Sequence, residues 1–218
     1  MGYNSGVARA LKVGVRCALR YDPDWLLFLD HDALLLGGAV EKALEVVDRL
    51  PPSVRGRVGA AFLGSAGGDC SVRGYRYGWF SGTLIRADIA SKVCCRDDFF
   101  IDQADHDMYA RVRELGYLTV LVNCRLVDRE LGSKRWIRFL GRVEYEPPWR
   151  YYYIVRNSTK LLIEGRMDLR TYVNQLRYWG VRILLADGVK AFAKPLALGL
   201  MHALLGRLGY MDRRFLEK

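Results

Sequence analysis

The stretch Asp24-Trp25-Leu26-Leu27-Phe28-Leu29-Asp30-His31-Asp32 runs from an apolar segment straight into two carboxylates separated by one residue. A strand over Trp25–Asp30 would deliver its polar end to the carboxyl edge of a parallel sheet, where open α/β folds bind ligands. Asp30 and Asp32 have the chemistry to share one divalent cation there. Hard oxygen ligands suit Mg²⁺ or Mn²⁺, which keep several waters and bridge to substrate phosphates. Such a cation would stabilise charge on a leaving diphosphate. Taken alone, D-x-D is equally the composition of a surface turn. Strand alternation points His31 away from the two aspartates, as a structural residue.

On either side of this stretch the pattern alternates between helix and strand. Helices are predicted over Gly6–Arg20 and Gly38–Leu50, and a strand over Arg57–Leu63. The Gly- and Ser-rich run Gly64–Gly78 reads as a loop, followed by an extended run at Trp79–Ile85. A helix from Gln103 to Leu115, stopped by Gly116, feeds a strand at Tyr117–Cys124. This is an α/β pattern, and it sets a domain over residues 1–146. After Pro147 and Pro148 the chain becomes helical, basic and aromatic, so residues 147–218 form a tail.

A second acidic run, Asp97-Asp98-Phe99-Phe100-Ile101-Asp102-Gln103-Ala104-Asp105-His106-Asp107, sits where the Gln103 helix begins. Asp102 suits an N-cap, and acids in a first turn interact favourably with the helix dipole. Asp105 falls on the same face as Asp102 and could accept a proton from an acceptor hydroxyl.

Among the 218 residues, Lys and Arg outnumber Asp and Glu by 34 to 24, a formal charge of +10. That balance favours anionic partners: nucleic acid, lipid head groups or nucleotide diphosphates. The five cysteines, Cys17, Cys70, Cys94, Cys95 and Cys124, have no metal-ligand spacing. Their odd number suits reduced thiols in a cytoplasmic setting. No secretory leader pattern opens the chain, and the apolar run 195–206 is too short to span a bilayer.

Five motifs in order carry a resemblance: N-x-G at Asn4–Gly6, LDHD at Leu29–Asp32, SGTLI at Ser81–Ile85, FFIDQADHDMYARVRELGY at Phe99–Tyr117, and RYYYIVRN at Arg150–Asn157. Over residues 3–160 the chain resembles the GT-A-fold family 2 glycosyltransferases, within them the rhamnosyltransferase and galactofuranosyltransferase-like branch. The resemblance implies a Rossmann-like mixed sheet and an inverting transfer of sugar from a nucleotide-diphosphate donor to a glycan or lipid-linked acceptor, as in polysaccharide biosynthesis. It implies Asp30 and Asp32 as metal- and diphosphate-binding residues and Asp105 as catalytic base. Asn4 and Gly6 would lie on the donor side, Ser81, Gly82 and Asp102 on the acceptor side, and Arg111 would close the motif's helix.

The chain departs from the family's pattern in three places. Arg129 stands where similar proteins carry a metal-binding histidine; its guanidinium would pair with the donor diphosphate instead of ligating a cation. Ala104 stands where relatives often carry Glu. Similar domains also begin with further strands that build the nucleotide-base pocket, so a second chain supplying that half is an expectation. The alternative is an inactive or partner-dependent subunit.

In the tail, Trp149-Arg150-Tyr151-Tyr152-Tyr153 has the composition of a nucleic-acid contact, but the resemblance places it behind the acceptor site. A single helix over Ile183–Leu205, interrupted at Pro195, would align Asp187, Lys190, Lys194 and His202 on a polar side. That helix either packs on the catalytic domain or lies in the membrane interface, making the protein peripheral at the cytoplasmic face.

Overall fold

The computed structural model describes residues 2, 4–128 and 133–214. The elements in chain order are α1 (Val7–Ala18), β1 (Trp25–Phe28), β2 (Leu34–Leu35), α2 (Ala39–Asp48), α3 (Pro52–Arg55), β3 (Val58–Leu63), β4 (Ser71–Gly74), β5 (Thr83–Arg86), α4 (Ala87–Val93), α5 (Ala104–Glu114), β6 (Leu118–Asn123) and β7 (Val127–Asp128). There follow β8 (Ser133–Ile137), β9 (Gly141–Tyr145), α6 (Pro148–Ile163), α7 (Leu169–Asp187) and α8 (Val189–Leu204). The chain is mixed α/β, as the alternation predicts. It forms two compact units that interleave along the sequence: Leu11–Cys95 with Asp105–Glu130, and Met1–Ala10 with Arg96–Ala104 and Leu131–Lys218.

The first unit is built on a five-stranded sheet of order β1-β5-β3-β6-β4. β5 is antiparallel to both β1 and β3, and β3 is parallel to β6. Hence β1, β3 and β6 run the same way and end at one sheet edge, where β5 begins. Central β3, Val58-Gly59-Ala60-Ala61-Phe62-Leu63, is buried throughout, the near-continuous apolar run of a strand covered on both faces. On one face Ala43, Val46 and Val47 of α2 meet Leu63, Val120 and Val122. On the other, a Cβ at Gly59 would meet Ile89 and Val112 at 2.9 and 3.0 Å, so glycine lets α4 and α5 close on the sheet.

Three expectations for this unit are corrected. Residues 71–74, read as loop, form β4, antiparallel to β6. Ser71, Arg73 and Gly74 lack strand-forming side chains, and the backbone pairing with β6 makes the strand. An Asp69 carboxylate that accepts from Ser71 N–H at 3.1 Å and Asn123 Nδ2 at 2.8 Å fixes its start. The run 79–85 becomes a strand only from Thr83, because Gly82 turns the chain with φ +86°. The cysteines do not stand apart: Cys70 pairs with Cys124, whose Cα atoms lie 4.5 Å apart, and Cys94 pairs with Cys95, leaving Cys17 as an exposed thiol. Strand pairing brings Cys70 and Cys124 together, which linear spacing does not reveal.

The second unit is helical, with α7 and α8 packed on α6 and on each other, plus the isolated hairpin β8–β9. The single helix expected over 183–205 is instead two. The break falls at Gly188 (φ +88°), while Pro195 sits buried inside α8. His202, expected on a polar stripe, is buried: its Nδ1 lies 2.7 Å from the Tyr152 hydroxyl. Among the described residues no helix is long and apolar enough to cross a membrane.

Candidate active site

At the sheet edge where β1 ends, three backbone links fix the local geometry. Gly82 N–H donates to Phe28 C=O at 2.8 Å, and Leu63 N–H donates to Gly82 C=O at 2.7 Å. Gly82 thus ties β1 to β3 in a left-handed conformation that a side chain would strain. Beside it, the buried Ser81 Oγ accepts the N–H of Asp30 at 3.0 Å. The LDHD and SGT motifs, 51 residues apart in sequence, are therefore one structural feature. The turn closes with Ala33 N–H on Asp30 C=O at 3.2 Å.

Asp105 opens the first turn of α5 and is largely buried. Its Oδ1 accepts the His106 N–H at 2.8 Å and lies 3.1 Å from His106 Nδ1. The His106 ring is in turn stacked on Tyr77, with centroids 4.9 Å apart. Among the described residues no donor occupies Asp105 Oδ2. Partial loss of solvent, first, and then the charges of Asp32 and Asp105 push the Asp30 carboxyl above its ordinary value, against smaller opposing effects of His31 and Ser81. The three carboxylates thus share one electrostatic neighbourhood. Asp107, by contrast, is fully buried, 3.9 Å from Arg111, which also donates to Val93 C=O at 2.9 Å.

Asn4, Gly6 and Asp102 belong to the helical unit. Asp102 is gripped by Arg150, whose Nε and Nη2 reach its two carboxylate oxygens; Arg150 also pairs with Glu146. The turn leading to Asp102 is held from α6. Asn157 Nδ2 donates to the carbonyls of Phe99, Ile101 and Asp102 at 3.1, 2.9 and 2.9 Å, and Arg156 Nη2 to Phe99 C=O at 3.2 Å. These contacts sustain positive φ at three non-glycine positions, Phe100, Asp102 and Gln103. Asn4 Oδ1 accepts Gly6 N–H at 3.1 Å, a local turn before α1. Gly6 lies so close to Phe100 that a Cβ would stand 2.3 Å from its carbonyl oxygen. Arg129 lies outside the described residues.

The structure therefore gathers Asp30, Asp32, Ser81, Gly82 and Asp105 within one unit. It also adds His106 and Tyr77, which motif reading passed over; His106 follows Asp105 directly, and that adjacency was the one clue. Among the described residues no three of His, Cys, Asp and Glu are grouped to hold a metal ion. Two clustered carboxylates still fit a hard cation that draws few ligands from protein and the rest from water and phosphate. Comparisons of the chain with family models, curated proteins and solved structures return no match.

Proposed function

We propose that the chain is an inverting glycosyltransferase that moves a sugar of the rhamnose or galactofuranose type from a nucleotide diphosphate to a glycan or lipid-linked acceptor. The single observation that carries this reading is the grouping of Asp30, Asp32 and Asp105 in one electrostatic neighbourhood, with the Asp30 carboxyl raised first by burial and then by the charges of Asp32 and Asp105. A part-buried carboxyl beside other acids favours a bound cation or a proton in transit. The family resemblance adds the substrate class.

In this mechanism Asp105 Oδ2 takes the proton of the acceptor hydroxyl as its oxygen attacks the anomeric carbon, and the bond to the diphosphate breaks on the opposite face. His106 and Tyr77 hold the carboxylate in position through Oδ1. Ser81 and Gly82 shape the wall beside Asp30. Asp30 and Asp32 would hold a divalent cation, whose chemistry is to neutralise charge on the leaving diphosphate.

A partner-dependent form of the same activity is favoured by one observation. β1 pairs only with β5 among the described strands and so stands at the edge of the sheet, the position to which a further strand adds. Isothermal titration of nucleotide diphosphates with Mn²⁺ tests the reading. Binding should weaken at least about tenfold in Asp32→Asn, since a neutral amide loses charge complementarity to the cation. Unchanged binding would remove the metal and donor assignment.

A further inference from the structure

The hairpin β8–β9 is two strands with no sheet behind them, a form that is marginal in water unless packed on something. Its root is fastened. Arg135 Nη1 binds Asp187 Oδ1 at 2.9 Å, Tyr145 donates to Asp187 Oδ2, and Tyr178 donates to Glu144 Oε2 at 2.8 Å. Ile137 is the one residue of β8 that turns inward.

The outer end is the opposite in character. Trp136 is 72% exposed and Phe139 80%, with Leu140 beside them, although no soluble packing requires these rings in water. Basic side chains surround them. Arg142 lies across from Trp136 in the strand register, and the Arg138 guanidinium stands 4.9 Å from the Phe139 ring centre. Among the described residues neither Arg138 nor Arg142 has an ion-pair partner.

Exposed apolar residues recur on α7, to which the hairpin is fastened, and at the start of α8. Val181, Leu184 and Leu185 of α7 and Val189 of α8 are exposed, next to Arg177 and Lys190. Across both helices the single acid is Asp187, already engaged by the hairpin. The helical unit thus exposes apolar and basic side chains both at the hairpin tip, through Trp136, Arg138, Phe139 and Leu140, and along α7 and the start of α8.

We infer that the β8–β9 tip and the adjoining α7–α8 corner dock on an anionic phospholipid bilayer, with Trp136, Phe139 and Leu140 in the interface and the arginines on the head groups. Indole and phenyl rings ringed by arginine match the interfacial zone, where aromatic bodies partition and cations meet lipid phosphate. The exposed aliphatic residues discriminate against nucleic acid, which stacks on aromatics and gains nothing from valine or leucine. A second copy is a poorer occupant, because a two-fold contact would press this surface, on a chain of charge +10, against its own like charge. The inference does not rest on the glycosyltransferase reading.

The test is co-sedimentation of the full chain with phosphatidylcholine vesicles, with and without phosphatidylglycerol. Binding should require the anionic lipid and weaken with salt. It should fall at least about tenfold in Trp136→Ser/Phe139→Ser and roughly twentyfold in Arg138→Ser/Arg142→Ser. Quenching of tryptophan fluorescence by brominated lipid should drop in Trp136→Phe, a change of one exposed ring that spares the fold. Equal binding to neutral vesicles, no binding to either, or unaltered affinity in both double variants would overturn the inference. So would finding that the same substitutions abolish oligonucleotide binding or self-association while vesicles are not bound.

Discussion

Ser81 Oγ accepts the backbone N–H of Asp30 at 3.0 Å. The bond pins the backbone of the first residue of the acidic turn to the head of β5. Strand pairing, with Phe28 facing Thr83, sets the distance. Burial first, and then the charges of Asp32 and Asp105, make ionising Asp30 costly in the fold.

That cost is measurable. The Asp30 carboxyl is raised above its ordinary 3.8, so its ionised form disfavours the folded state at pH values above that range. Asp30→Asn should therefore melt at a higher temperature than wild type at neutral pH. The difference should shrink as pH falls below 3.8, where Asp30 is protonated in both folded and unfolded chains. Thermal melts across pH check this; a lower melting temperature for Asp30→Asn at neutral pH would contradict a penalty for ionising Asp30 in the fold.

Asn157 should prove structural. It is fully buried and its amide serves three carbonyls of the 99–102 turn. Asn157→Ala takes the shared amide donor from the three carbonyls, of which Phe99 keeps Arg156 Nη2, at a cost of roughly 2–3 kcal/mol, or a fall in Tm of about 4–12 °C for a chain this size. Hydrogen exchange should show the loss concentrated in residues 99–104.

His202 supplies a pH test of the helical unit. Burial first, then the charges of Arg207 and Arg156, hold its imidazole below the ordinary 6.5. Its Nδ1 shares a hydrogen bond with the Tyr152 hydroxyl, which accepts from Arg156 Nη1 at 3.4 Å. A depressed histidine contributes stability that is complete above 6.5 and is lost as pH falls through the folded value. Urea unfolding followed across that window should show a decline that His202→Gln flattens.

Much of the sheet unit was legible because apolar strands and amphipathic helices carry their periodicity in sequence. The Trp25 strand, the Val58 strand and the Gly116 stop all lie where the pattern places them. β4 was not legible, since Ser71-Val72-Arg73-Gly74 is a strand only by virtue of β6. Nor was the α7–α8 break, because a proline drew attention from Gly188. At the site, the acids were visible as spacing. The Ser81–Asp30 bond and the His106–Tyr77 support depend on contacts 51 and 29 residues apart, which no linear motif records. Asp102 fits the motif equally well, yet its carboxylate is committed to Arg150.

The most direct measurement is the transfer rate of Asp105→Asn. Asparagine keeps the side-chain size and an oxygen for the His106 N–H, so folding and donor affinity should persist. If Asp105 Oδ2 takes the acceptor proton, transfer falls roughly 10²–10⁴-fold. Sugar transfer at the wild-type rate with asparagine at 105 would contradict the account, since Asp107 is sealed in the core and could not substitute as base.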